Sequence, residues 1–154
     1  MDLGDLIALD AVIPSLKAKN KKQVLQELAQ RASVLIGIKA HDVFETLLQR
    51  ERLGSTGVGR GIAIPHGRIA PIKRIFGLFA RLEPAIPFDA LDGEPVDLVF
   101  VLLAPDQAGA DHLKALARIS RLMRDPESVK NLRASKDRAA LYSVLTQPMA
   151  SHAA

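Results

Sequence analysis

Residues Val96 to Leu103 read Val-Asp-Leu-Val-Phe-Val-Leu-Leu, and this run constrains the fold more than any other stretch of the 154-residue chain. Apart from Asp97, which belongs at its start, every residue is apolar. A strand with one wet face alternates polar and apolar side chains. A run that does not alternate needs cover on both faces, as in a central strand of an α/β sheet. Ile75-Phe76-Gly77-Leu78-Phe79-Ala80 has the same character, and Ile62-Ala63-Ile64 reads as a shorter buried strand. The first twenty residues are locally ambiguous. Their pattern fits a short helix or turn followed by a short strand near Ala11–Leu16.

The covering layers are legible as amphipathic helices. Asn20 is placed to cap a helix, with Gln23 at the reciprocal capping position. Val24, Leu25, Leu28, Ala32 and Leu35 then repeat at helical spacing, which predicts a helix over about 21–34, stopped by Gly37. A second helix is predicted over about 40–52 on the stripe Val43, Phe44, Leu47, Leu48. A third, over about 110–124, carries Leu113, Leu116, Ala117, Ile119, Leu122 and Met123 on its apolar face. Two more follow at about 126–134 and 136–145. Between the strands, 67–74 reads as a basic connector, 83–88 as a turn-rich link with room for a short edge strand, and Asp92-Gly93 as a turn. No internal repeat, low-complexity segment or linker divides the chain. A single domain over 1–154 is expected, with its core at about 6–145 and a frayed tail at 149–154 that includes His152.

Composition narrows the function classes. Apolar residues make up 48% and charged residues 25%, as in a soluble globular domain. Cysteine is absent, so there is no disulfide framework and no thiol chemistry. The start of the chain lacks the basic and apolar regions of a signal peptide, and no run reaches membrane-spanning length. A cytoplasmic protein without membrane insertion is expected. The net charge of +4 gathers in Lys17–Lys22 and Lys114–Arg124, which suit an acidic partner or simply a solvated helix face. With five Phe and one Tyr, mostly in apolar runs, no base-stacking platform for nucleic acid is evident.

The chemistry concentrates in Gly54-Ser55-Thr56-Gly57-Val58-Gly59-Arg60-Gly61-Ile62-Ala63-Ile64-Pro65-His66-Gly67-Arg68. A glycine-rich loop runs into a short strand, Pro65 withdraws a backbone donor, and His66 follows at the strand end, with Gly67 removing bulk behind it. Residue chemistry alone leaves three readings: a structural turn histidine, a metal ligand lacking any second ligand at suitable spacing, or a nucleophile or base titrating near neutrality. The loop lacks the Lys-Ser/Thr ending of a nucleotide P-loop. Arg50, in the last turn of the second helix, either contacts the final carbonyls or aims its planar fork at an anion near His66. His112 aligns with Leu116, Ile119 and Met123 in the first turn of the third helix, so it points inward, as a core histidine or as a partner for an anion at the helix start. His41 is read as solvated.

The run from Gly54 to Gly67, preceded by Arg50-Glu51, resembles the active-site signature of the enzyme IIA proteins of the fructose/mannitol class of the bacterial phosphotransferase system, nearest to the nitrogen-regulatory branch. The resemblance extends from about Leu6 to about Leu145. It implies an α/β domain with a central mixed sheet of about four to five strands and helices on both faces. It implies that His66 accepts a phosphoryl group on Nε2 from a phosphohistidine of an HPr-like carrier, without metal, nucleotide or other cofactor. Arg50 and His112 would hold the phosphoryl oxygens, and Ser55, Thr56 and Gly57 would add donors. An apolar rim of Ile64, Val58 and Phe88 would limit hydrolysis. Arg60 stands where close relatives commonly carry a small polar residue. Three roles stay open: a regulator of targets such as transporters or sensor kinases, a transport component passing phosphate to a IIB protein, or a binding module without turnover.

Overall fold

The computed structural model describes residues 2–148; the tail expected at 149–154 lies outside them. Two short 3₁₀ turns, Leu3–Asp5 and Leu9–Ala11, lead into strand β1 (Val12–Leu16). Helices α1 (Lys21–Ile36) and α2 (Ala40–Arg52) follow, then three short strands, β2 (Gly57–Gly59), β3 (Ile62–Ala63) and β4 (His66–Arg68). Two long strands come next, β5 (Phe76–Ile86) and β6 (Val96–Ala104). Helices α3 (Ala110–Arg124), α4 (Pro126–Ala134) and α5 (Arg138–Thr146) complete the order.

The sheet is mixed and runs β1-β5-β6-β3-β2, with β4 also paired to β6. β5 and β6 are antiparallel, whereas β1 lies parallel to β5, and β3 and β4 lie parallel to β6. Helices α1 and α2 form one layer, against β5 and β4; α3, α4 and α5 form the other, against β6 and β1. The non-alternating run behaves as its chemistry requires. Every residue of β6 except Asp97 is fully buried. Each such large apolar side chain removed from water stabilises the fold by about 1.5–3 kcal/mol. Asp97, at the exposed end, pairs with Arg133 of α4 at 2.9 Å.

Several boundaries moved for identifiable reasons. The Asn20 side chain accepts the Gln23 N–H at 2.8 Å as expected, but Gln23 reaches back to the Lys19 N–H at 2.7 Å, one residue earlier than a capping box would place it. Helix α1 continues to Ile36 before Gly37 takes a left-handed conformation (φ 74°). Helix α5 starts at Arg138 rather than Lys136 because Asp137 caps it, accepting the Ala140 N–H at 2.9 Å. The link at 83–88 is mostly strand: β5 continues to Ile86, which pairs with Val96, and Pro84 falls where the register shifts and a ladder donor is not required. The connector is also shorter, because His66-Gly67-Arg68 form β4. Six strands therefore replace the expected four to five, with β3 and β4 sharing one edge of β6.

Candidate functional site

β3 and β4 are two pieces of one strand. Ala63 lies opposite Val99 and His66 opposite Leu102, so the register along β6 is the same on both sides of the break. Within the break, Pro65 has no N–H to give, but its carbonyl still accepts from Leu102 N–H at 3.0 Å. The Ile64 N–H turns to the Thr56 carbonyl at 3.0 Å. The Ile64 carbonyl turns to the next histidine and lies 2.8 Å from His66 Nδ1. His66 is thus the first residue of β4 rather than the end of the preceding strand.

These contacts fix the tautomer. A carbonyl can only accept, so His66 Nδ1 carries the proton. On the other side of the ring, Arg50 Nε lies 3.3 Å from His66 Nε2. A guanidinium can only donate, so Nε2 presents a lone pair. Burial is the main influence holding the His66 pKa below its ordinary value. The Ile64 bond opposes it, the Arg50 charge adds to it, and the Glu51 charge opposes it. The imidazole is therefore neutral at neutral pH, with Nε2 available as a nucleophile.

Arg50 realises both of its readings at once. Nη1 donates to the Gly54 carbonyl at 2.8 Å, closing the end of α2, while Nε faces His66. His112, in the first turn of α3, is buried, and its ring centroid lies 5.9 Å from that of His66 in an edge-on arrangement. Its Nδ1 is buried without a hydrogen-bond partner, a cost that a native site tolerates when a ligand supplies the missing atom. Its pKa is also depressed, by burial first and then by His66 and Arg68. The structure brings His66, Arg50 and His112 together from β4, α2 and α3. His41 is exposed, at the start of α2.

The glycine-rich loop is held largely by bonds to its own chain. Ser55 Oγ donates to the Phe88 carbonyl at 2.7 Å and accepts the Gly57 N–H at 3.0 Å. The Thr56 N–H is held by both carboxylate oxygens of Glu51, at 3.1 and 2.9 Å. The Ser55 hydroxyl and the Thr56 and Gly57 N–H groups thus close on their own chain. Thr56 Oγ1 is buried and unpartnered. The apolar rim is likewise mostly core: Ile64 and Phe88 are buried, and Val58 alone of the three is exposed. Gly67 does make room, but for α2: a Cβ there would lie 2.6 Å from Thr46 Cγ2. Because side chains alternate along a strand, His66 then projects away from the α2 face, toward His112.

Glu51 is the residue that sequence reasoning passed over. Its carboxylate is almost wholly buried and pairs with Lys21 Nζ at 3.0 Å, and Lys21 lies over the Phe88 ring at 5.0 Å. This pair ties the start of α1, the last turn of α2 and the loop into one unit behind Arg50. A carboxylate next to Arg50, just before a glycine-rich loop, was the available signal.

Residues 5–147 match the family model described as the phosphoenolpyruvate-dependent sugar phosphotransferase system, EIIA 2. The chain belongs to this family. A nitrogen regulatory protein of Bradyrhizobium diazoefficiens is 59% identical over 99% of this chain and all of its own length. The crystal structure of nitrogen regulatory protein IIA-Ntr from Neisseria meningitidis is 34% identical and superposes with a TM-score of 0.89, covering 94% of this chain and 99% of that one. The mannitol enzyme IIA of Escherichia coli, solved in complex with phosphorylated mannitol enzyme IIB, shares the fold at 17% identity, with a TM-score of 0.76 over 91% of this chain and 98% of that one. No helix among the described residues is long and apolar enough to cross a membrane.

Proposed function

We propose that the protein is a phosphoryl carrier of the nitrogen-regulatory branch, with His66 Nε2 as the acceptor atom. The single observation that carries this reading is the fixed tautomer, with Nδ1 bound to the Ile64 carbonyl and Nε2 free to act under the Arg50 guanidinium. In the transfer, the Nε2 lone pair forms a bond to phosphorus. The N–P bond of the donor phosphohistidine breaks, and its electron pair leaves with the donor imidazole. The proton stays on Nδ1, donated to the Ile64 carbonyl, whose dipole offsets the positive charge developing on the ring.

Phosphoryl transfer asks little covalent chemistry of the protein; positioning and charge stabilisation dominate. Once Nε2 is bonded to phosphorus, the Arg50 Nε–H loses its acceptor and finds a phosphoryl oxygen instead. Nη1, anchored on Gly54, keeps the side chain in place. His112 then gains a partner for its unsatisfied ring nitrogen. Exposed Leu113, beside His112, and exposed Leu53, just after α2, give a docking carrier apolar contacts near the nucleophile. The donor is an HPr-like phosphocarrier, and the phosphorylation state then governs binding to regulated proteins such as transporters or sensor kinases. A cytoplasmic location follows from that donor.

The experiment is to load the protein with labelled phosphate and challenge it with fructose- and mannitol-type IIB proteins. Retention of label on the carrier supports the regulatory role. Rapid, complete transfer to a IIB protein would make it a transport component instead.

A further inference from the structure

Arg60, Arg124, Lys130 and Arg133 ring a groove of about 520 Å³ whose floor includes Ile62 and Val129. Arg133 is matched by Asp97, but Arg60, Arg124 and Lys130 make no ion pair among the described residues. Among the described residues no carboxylate lines the groove. An apolar floor under a cationic rim suits an apolar side chain flanked by carboxylates.

The chain carries such an element itself. In Asp89-Ala90-Leu91-Asp92-Gly93-Glu94, Leu91 is 85% exposed, among the most exposed large apolar side chains of the described residues. The loop is held firmly. Asp92 accepts the Arg60 N–H at 2.9 Å and the Glu94 N–H at 3.1 Å, and the Leu91 N–H donates to the Gly57 carbonyl at 3.3 Å. Leu91 is therefore presented outward between Asp89 and Glu94 by a fixed backbone, with little ordering left to do on binding. Because Asp92 binds Arg60, the loop and the groove adjoin along the same edge of the molecule. Within one chain the loop is occupied on β2 and does not fill the groove. Two patches of opposite character, side by side on one face, form a self-complementary surface for a two-fold pair.

We infer that a second copy of this chain docks here. Leu91 of each copy enters the groove of the other, and Glu94, which makes no ion pair among the described residues, faces the rim cations Arg60, Arg124 and Lys130, with exposed Asp89, shared with Lys21 Nζ at 3.7 Å, beside it. The contact involves one apolar anchor and a few exposed charges per side, below the size of a permanent interface, so the pair is reversible and salt-sensitive. Ile62 in the groove floor precedes His66 by four residues, about 13 Å along a strand. Docking in the groove thus leaves His66 open, and the proposal stands whether or not His66 is a phosphoryl acceptor.

Sedimentation velocity on the full chain tests it, from roughly 10 to 500 μM at about 50 mM and about 500 mM salt. The expected result is a concentration-dependent shift from monomer to dimer at low salt that is reversed at high salt. Lys130→Glu and Leu91→Ser should each weaken the association by roughly tenfold or more, and Lys130→Glu combined with Glu94→Lys should restore it. All three positions are exposed, and unchanged circular dichroism melts verify folding. A wild type that stays monomeric throughout overturns the proposal and leaves the groove to an acidic segment of another protein. A dimer indifferent to both single substitutions overturns it as well, because it would form through another surface.

Discussion

The β5–β6 pair and the β3–β4 line beside it belong to the same sheet and obey opposite rules. From Leu78 to Ala80 on β5 and from Leu98 to Ala104 on β6, every side chain is fully buried, and the ladder runs from Phe76↔Leu103 to Arg81↔Leu98 without interruption. Neighbouring β3 holds the same register but is cut at Ile64-Pro65, and His66 stands at the cut. In the uninterrupted pair the backbone groups that face the partner strand are spent on the ladder. At the break, the Ile64 carbonyl is released to a side chain, which turns a backbone irregularity into control of the His66 tautomer. The regular half gives rigidity, and the interrupted half gathers His66, Arg50 and His112.

The largest effect should come from breaking the regular half. Phe100, fully buried and edge-on to Phe79 at 6.4 Å, is its centre. Phe100→Ala should cost about 3–5 kcal/mol of stability, read from denaturant unfolding, because burial is lost and a cavity remains. The same measurement on Arg50→Ala should show little change, since Arg50 is only part-buried. Its rate of phosphorylation by the carrier should fall by about 100-fold, a loss typical of removing one preorganised charge donor. If Arg50→Ala instead lowers stability as Phe100→Ala does and leaves the rate intact, the division between the two halves fails.

A smaller effect is expected where the two halves meet. Gly67→Ala puts a Cβ 2.6 Å from Thr46 Cγ2, so α2 must shift or β4 must bend. A stability loss of about 1–3 kcal/mol is expected, together with slower phosphorylation, because α2 carries Arg50. Restoring space with Thr46→Ser in the same chain should recover part of both.

The smallest effect is the response to pH. His66 and His112 both have pKa values lowered on folding, by burial first. The unfolded chain therefore binds more protons than the folded one below about pH 6.5. Their contribution is complete above that pH and is lost as pH falls through the lowered folded values. Thermal melts should show stability declining on acidification in that window, with a shallower decline for His112→Gln. The acid limb of the phosphorylation rate should likewise have its midpoint below the ordinary histidine pKa, as expected of an unprotonated nucleophile.

How much of this was legible in the sequence follows the same division. β6, the start of β5, and α2, α3 and α4 could be read almost to the residue, because burial on two faces and helical periodicity leave direct marks on composition; the second half of β5, with Pro84 in it, could not. His66, Arg50 and His112 could be picked out by position and chemistry, and the structure does bring them together. The loop could not be read. Nothing in Gly54–Gly57 says that Ser55 will close on Phe88 or Thr56 on Glu51, because those partners depend on how a distant segment and a helix end arrive in space. Phe88 and Ile64 looked like rim residues for the same reason: local sequence shows that they are apolar but not which side of the break they face. β4 was missed because three residues with a charged end carry no strand periodicity, and its pairing comes entirely from β6.

The most direct test of the central claim is intact-protein mass spectrometry after incubation with phosphoenolpyruvate, enzyme I and a cognate HPr-like carrier, comparing the wild type with His66→Ala. The account predicts one acid-labile phosphoryl adduct on the wild type and none on the variant. An adduct that persists in His66→Ala, or no adduct on the wild type with a carrier shown to be competent, would contradict it.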